Sequence, residues 1–212
     1  FNMQEQKILG ETRLTLLQDT QIPRLLMAWR SMTILDADEP LLDLFSSILS
    51  GDKTSRLDKA LVETGIAAAA GAWSDTRRDD GAFVVQAQPA GGHTLDEVEA
   101  AVRKVLVEVL AKGVTAEELA RAKAKLLAER VYGQESSMGL AERLGSVAVV
   151  GDWRYHLRYP AKIEAATPET VLAAAKRVID LDRLVVGRSL PRPPAAKTAD
   201  AKASGAEPAD YK

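Results

Sequence analysis

The 212 residues carry 28 Lys and Arg against 30 Asp and Glu, a net charge of −2, with 46% apolar and 27% charged residues and no cysteine. That balance describes an ordinary water-soluble globular chain, long enough for one large domain, with no electrostatic case for nucleic acid or an anionic membrane surface. No apolar run reaches the roughly 18–20 residues that cross a bilayer. The lack of cysteine excludes a disulfide framework and a thiol nucleophile, and fits either the cytoplasm or the periplasm.

The chain opens FNMQEQKILG, without an initiator Met or a signal peptide, and reads as a processed or excised piece of something longer. Residues 12–17 alternate polar and apolar side chains and predict a strand. A stronger strand follows at 24–31, with Leu25, Met27 and Trp29 on one face. Asp38 then stands where it can cap a helix whose first turn holds Pro40 and whose stripe is Leu41, Leu44, Phe45, Ile48 and Leu49. Gly51 ends that helix. Thr54 or Ser55 can cap a shorter one carrying Leu57 and Leu61, which Gly65 closes.

From Ile66 the period becomes two. Strands are expected at 66–74 and 82–88, joined by DTRRDDG, whose Asp80-Gly81 is a hairpin signal. Phe83, Val85 and Ala87 share a face of the second. Thr94 with Glu97 forms a capping box for a helix closed by Gly113, with Leu95, Val98, Val102, Val105, Leu106 and Val109 inward. Thr115 with Glu118 opens the next, with Leu119, Leu126 and Leu127 inward and a Glu117–Arg121 pair outside. A third helix is expected at 136–150 around Leu140, Leu144 and Val147. WRYHLRYP is ambiguous because Pro160 disfavours helix at Tyr159. Thr167-Pro168 opens a last helix running through Ile179, and residues 183–189 form a final strand. Strands and helices in this order predict an α+β domain, a mainly antiparallel sheet with helices packed on one face, over 1–190. Residues 191–212, almost without large apolar side chains, are expected to be a disordered tail.

Ser47 to Ala67, SILSGDKTSRLDKALVETGIA, resembles the second half-domain of the pitrilysin/insulinase family of zinc metallopeptidases. There a helix ends in a Gly-containing loop, followed by Ser-Arg-Leu, a short helix and a Gly-Leu-Ala-like run leading into a strand. The likeness extends from about Arg13 to Leu190, and Ser-Arg-Leu at 55–57 is its specific part. It implies the same α+β architecture and a role as the non-catalytic half of a zinc metalloendopeptidase. Such a half forms the wall of the substrate chamber opposite the zinc-bearing N-terminal half or partner subunit, and binds extended peptides. It also implies that Arg56, with Ser55 beside it, binds the substrate backbone. The family often pairs this Arg with a Tyr about a dozen residues on, where this chain has Ala68. The resemblance extends to core subunits of mitochondrial respiratory complexes, so the alternative is a structural or assembly subunit of the same fold without peptidase activity. Similar bacterial proteins point to the periplasm.

Zinc in this family is carried on H-x-x-E-H, two imidazoles one helical turn apart with a Glu to activate water. This chain has only His93 and His156, 63 positions apart, neither with a second His or a Glu at that spacing. No cofactor is therefore expected in this chain, zinc is expected in the partner half, and the isolated chain is expected to be inactive. GDKTS at 51–55 is not a phosphate loop, because Asp52 separates Gly from Lys and would repel the ligand. Asp36, Asp38 and Glu39 read as helix-start carboxylates, and Asp75, Asp79 and Asp80 with Arg77 and Arg78 as a solvated hairpin loop. The serines show no Ser/His/Asp arrangement.

Overall fold

Period-two alternation in segments between residues 12 and 89, and again at 185–191, builds a sheet, and period-3.6 patterning builds the helices that cover it. The computed structural model of the protein describes residues 9–79, 81–132 and 137–192. The strands are β1 (Thr12–Gln18), β2 (Arg24–Ser31), β3 (Ala67–Asp75), β4 (Gly81–Pro89) and β5 (Val185–Pro191). The helices are α1 (Glu39–Ser50), α2 (Leu95–Lys112), α3 (Ala116–Tyr132), α4 (Ser137–Val150), α5 (Tyr155–Ala165) and α6 (Pro168–Val178), with a π-helical turn at Asp58–Val62.

The five strands lie in the order β1-β5-β2-β4-β3. Every pairing is antiparallel except β1 with β5. β2 and β4 therefore pair in the middle, Trp29 opposite Phe83 and Met27 opposite Val85. Leu25, Met27, Trp29, Phe83, Val85 and Ala87 are all buried, as their alternation predicts. Phe45 of α1 meets Phe83 with ring centroids 5.7 Å apart, and Trp29 donates its indole N–H to the Asp180 carbonyl at 2.8 Å. β1 and β3 are the two edges of the sheet.

α1 is buried on more than one stripe. Leu41, Leu42, Leu44, Phe45 and Leu49 are all inaccessible, because α1 packs on β3 while α3, α5 and α6 close over its other side. The capping boxes at Thr94/Glu97 and Thr115/Glu118 form, and Thr167 is capped reciprocally by Thr170. Gly65 and Gly113 adopt the positive φ, +77° and +79°, that an L side chain resists.

Several sequence expectations are corrected. Asp38 sits at the start of α1, but its carboxylate accepts from Lys162 and Arg177 instead of capping the helix. Neither Thr54 nor Ser55 caps the short helical segment, since both hydroxyls donate back to Asp52. Glu39 does not face solvent at a helix start: it is 1% exposed and accepts from Thr76 and Tyr155. Leu140 is exposed on α4 and only Val147 of its three expected core residues is buried. Pro160 lies inside α5, and the carbonyl it leaves without an N–H, that of His156, accepts from the Arg130 guanidinium of α3. β5 runs through Leu190 and Pro191, so the last strand reaches into the segment assigned to the tail. The Asp80 half of the hairpin signal and residues 193–212 lie outside the described residues.

Candidate functional site

The segment that carries the family resemblance begins in the last turn of α1. Gly51 closes α1 through its N–H to the Ser47 carbonyl, and Lys125 of α3 donates to the Gly51 carbonyl. The next turn is organised by Asp52. Its carboxylate accepts from the Thr54 N–H at 2.7 Å and from the Thr54 hydroxyl, while its carbonyl accepts from both the N–H and the hydroxyl of Ser55. Ser55 is consequently buried, with its hydroxyl directed into the turn and not outward. Leu57 and Leu61, both fully buried, anchor the following residues against the core.

Arg56 leaves this turn in the opposite direction and reaches the connection between α2 and α3. Its Nε and Nη2 each lie 2.8 Å from a carboxylate oxygen of Glu118, a two-pronged pair, and Nη2 also donates to the Gly113 carbonyl at 2.8 Å. Both side chains are 19% exposed. Glu118 is the reciprocating residue of the α3 capping box, so it also accepts from the Thr115 N–H and hydroxyl. The Arg56 guanidinium, together with these bonds from Thr115, holds the Glu118 carboxyl down at about 2, against the cost of burial. An Arg at a helix start runs against the macrodipole. Here Glu118 compensates it.

The two nitrogens facing Glu118 are engaged; Nη1 is not, among the described residues. Arg56 borders an open groove of about 420 Å³ with Lys59, Ala60, Val105, Glu108, Lys112 and Thr115. Arg56, Lys59, Glu108 and Lys112 put charge along its walls. Ala68, at the position where the family places a Tyr, is exposed beside a bulge at the start of β3, where the register slips between Ala67 and Ala69. Further along that edge the Ser50 hydroxyl both donates to the Ala72 carbonyl and accepts from its N–H. The outer edge of β3 is thereby closed at Ala72, while the seven residues of β1 are all exposed.

The two histidines stay apart from this region and from each other. His93 Nδ1 lies 3.1 Å from Glu97 Oε2 beside the α2 capping box, and His156 belongs to α5 with its ring edge-on to Tyr155. Among the described residues no three His, Asp or Glu side chains gather as metal ligands. No helix among them is long and apolar enough to cross a membrane. A feature missed from sequence is the cluster of Glu39, Asp43, Thr76, Tyr155 and Tyr159 between α1 and α5. The only local signal was carboxylates at i and i+4 on one helix and tyrosines at i and i+4 on another.

Comparison with known proteins agrees with this fold. A candidate zinc protease of Bordetella pertussis Tohama I superposes with a TM-score of 0.75 at 24% identity, covering 81% of this chain and 95% of that one. A protease from Helicobacter pylori gives 0.83 at 18% identity, over 89% of this chain and 46% of that one, so the present chain spans about half of that protein. The periplasmic protease PqqL from Escherichia coli gives 0.69 at 19% identity, over 86% of this chain and 21% of its own. A comparison with curated protein sequences finds no match. The family model described as the peptidase M16 inactive domain matches residues 2–126, more than half of the sequence and all of the segment around Arg56. The chain belongs to the peptidase M16 inactive-domain family.

Proposed function

We propose that this chain is the non-catalytic half of a zinc metalloendopeptidase and forms the wall of the substrate chamber that faces the zinc-bearing half. The observation that carries this reading is the inactive-domain match over residues 2–126, which includes Ser55-Arg56-Leu57 on their turn. The H. pylori protease, of which this chain spans under half, leaves room for a second domain of similar size. Zinc and the general-base Glu belong to that counterpart. The compartment is the periplasm, as for PqqL.

On this reading an extended peptide adds to a strand edge through main-chain hydrogen bonds. Arg56 supplies a charge-assisted hydrogen bond from Nη1 to a substrate carbonyl or to the oxyanion that develops from it, with Glu118 holding the other side of its guanidinium in place. Ser55 serves the substrate by fixing the turn from which Arg56 departs. The test is titration of a labelled unstructured peptide into the zinc-bearing half with and without this chain. Binding at least tenfold tighter with the chain present supports the reading; unchanged binding overturns it.

A second reading, a structural or assembly subunit without peptidase work, is favoured by two observations. Arg56 is largely engaged by Glu118 and Gly113, and Ala68 has no hydroxyl to offer. The same titration separates the two, because a scaffold binds its partner and ignores the peptide.

A further inference from the structure

We propose that the Glu39–Asp43 carboxylate pair is a proton-operated latch for α5: it holds one proton and keeps α5 docked on α1 at mildly acidic pH, and loosens α5 when that proton is lost. Glu39 and Asp43 stand one helical turn apart on the same side of α1, and Tyr155 and Tyr159 stand one turn apart on α5. The Tyr155 hydroxyl donates to Glu39 and the Tyr159 hydroxyl donates to Asp43 at 2.8 Å, so each carboxylate is tied to α5 by one phenol. Glu39 also accepts from the Thr76 hydroxyl beyond β3. These partners are neutral. Among the described contacts the buried Glu39 and the half-buried Asp43 meet hydroxyls, and two ionised carboxylates one helical turn apart repel until one of them takes a proton.

The charged groups around the pair have other partners. Asp36 and Asp38, at the start of α1, are paired with Arg177 of α6, and Asp38 also with Lys162 of α5. Arg158 of α5 is turned to Asp152 at 3.6 Å. Arg130 of α3 lies over the Tyr159 ring, 5.3 Å from its centroid, and donates to the His156 carbonyl. His156 itself sits against the Tyr155 ring at 5.9 Å between centroids. Burial, reinforced by the charge of Glu39, pushes the Asp43 carboxyl up to about 7, and burial likewise raises Glu39.

α5 is the element placed to respond. Its first turn has no side-chain cap, Pro160 removes one of its internal hydrogen bonds, and Leu157 is 67% exposed. Between α5 and the loop before α1 lies an apolar cleft of about 400 Å³, bordered by Ile34, Leu35, Pro40, Tyr155 and Tyr159. α5 therefore rests on the tyrosine–carboxylate ties, the Lys162–Asp38 ion pair, the buried Ile163 and a loosely filled seam.

The sign follows from where the proton is held more tightly. A docked Asp43 with a raised value binds its proton more strongly than a free Asp near 3.9, so docking is strongest at low pH and weakens as the pH rises through about 7. Between pH 5.5 and 8.5 the opening equilibrium of α5 should rise about thirtyfold. The experiment is peptide-resolved hydrogen exchange on the full chain at those two pH values, corrected for the intrinsic rate, read on residues 155–165. The wild type should lose protection by about that factor. Asp43→Asn, which fixes the neutral form, should keep its protection at both values, and His156→Gln should behave like the wild type. Carboxyl-carbon NMR on the unaltered chain gives an independent reading, with one of the two carboxyls titrating between pH 6 and 8. Equal protection at both pH values in the wild type, a pH response that disappears in His156→Gln but persists in Asp43→Asn, or both carboxyls titrating near 4 would each overturn the latch.

Discussion

Arg56 and Glu118, 62 residues apart in the sequence, meet through two parallel hydrogen bonds of 2.8 Å and tie the turn after α1 to the start of α3. The pair is mostly buried, so removing one member leaves the other short of partners. Arg56→Ala should therefore lower stability by about 1–3 kcal/mol, the usual cost of stranding a partly buried polar group. A double-mutant cycle with Glu118→Gln checks this. Additive losses in denaturant midpoint would mean that the two side chains do not act together.

The Trp29 position is a second fixed point. Its indole fills the face of β2 that meets the helices and bonds the Asp180 carbonyl after α6. Trp29→Ala should cost about 3–5 kcal/mol, and Phe83→Ala a similar amount. Trp29→Phe, which retains most of the volume and loses the N–H donor, should fall between. Urea denaturation of the three variants measures the order.

Acid should attack the ion pairs before the core. Burial alone would raise Glu99, but the guanidinium groups of Arg13, Arg188 and Arg103 overcome it and bring the carboxyl to about 2, as Arg56 does for Glu118. A carboxyl lowered by folding stabilises the fold above its ordinary value near 4.3, and that contribution is lost as the pH falls through about 2. The thermal midpoint should drop between pH 4.5 and 2, and drop less steeply in Glu99→Gln. Parallel profiles for the two proteins would show that the three arginines do not act through Glu99.

Restoring a tyrosine at the family's position tests the strand start. Ala68 is exposed beside the β3 bulge, so Ala68→Tyr should leave stability within about 0.5 kcal/mol. Paired with the zinc-bearing half of the proposed enzyme, it should raise peptide affinity if Arg56 works at the same carbonyl. A large loss of stability on thermal melting would mean that the bulge cannot carry a ring.

The fold was largely legible because its information is local. Alternation placed Trp29 and Phe83 on the same face, and Thr94 with Glu97 announced α2 within four residues. What escaped depends on contacts between distant segments. Nothing near Arg56 names Glu118, and nothing near Glu39 names Tyr155, 116 residues on. Pro160 argued against helix until Arg130, from another helix, supplied the donor that proline lacks. α4 forms where its pattern predicts, but its inward face differs for the converse reason. Its leucines have the spacing of a core helix, but Leu140 is exposed and Leu144 only half-buried.

The central claim is tested most directly by steady-state cleavage of an unstructured peptide by the zinc-bearing half, measured alone, with this chain, and with this chain carrying Arg56→Ala. Thermal melts of each complex serve as control. The account predicts that the chain is required for turnover and that Arg56→Ala, still folded, lowers it about 100- to 1000-fold, the range for losing one donor to the developing oxyanion. Cleavage that is as fast without the chain, or a folded Arg56→Ala complex within about twofold of wild type, an effect below roughly 0.4 kcal/mol, would contradict it.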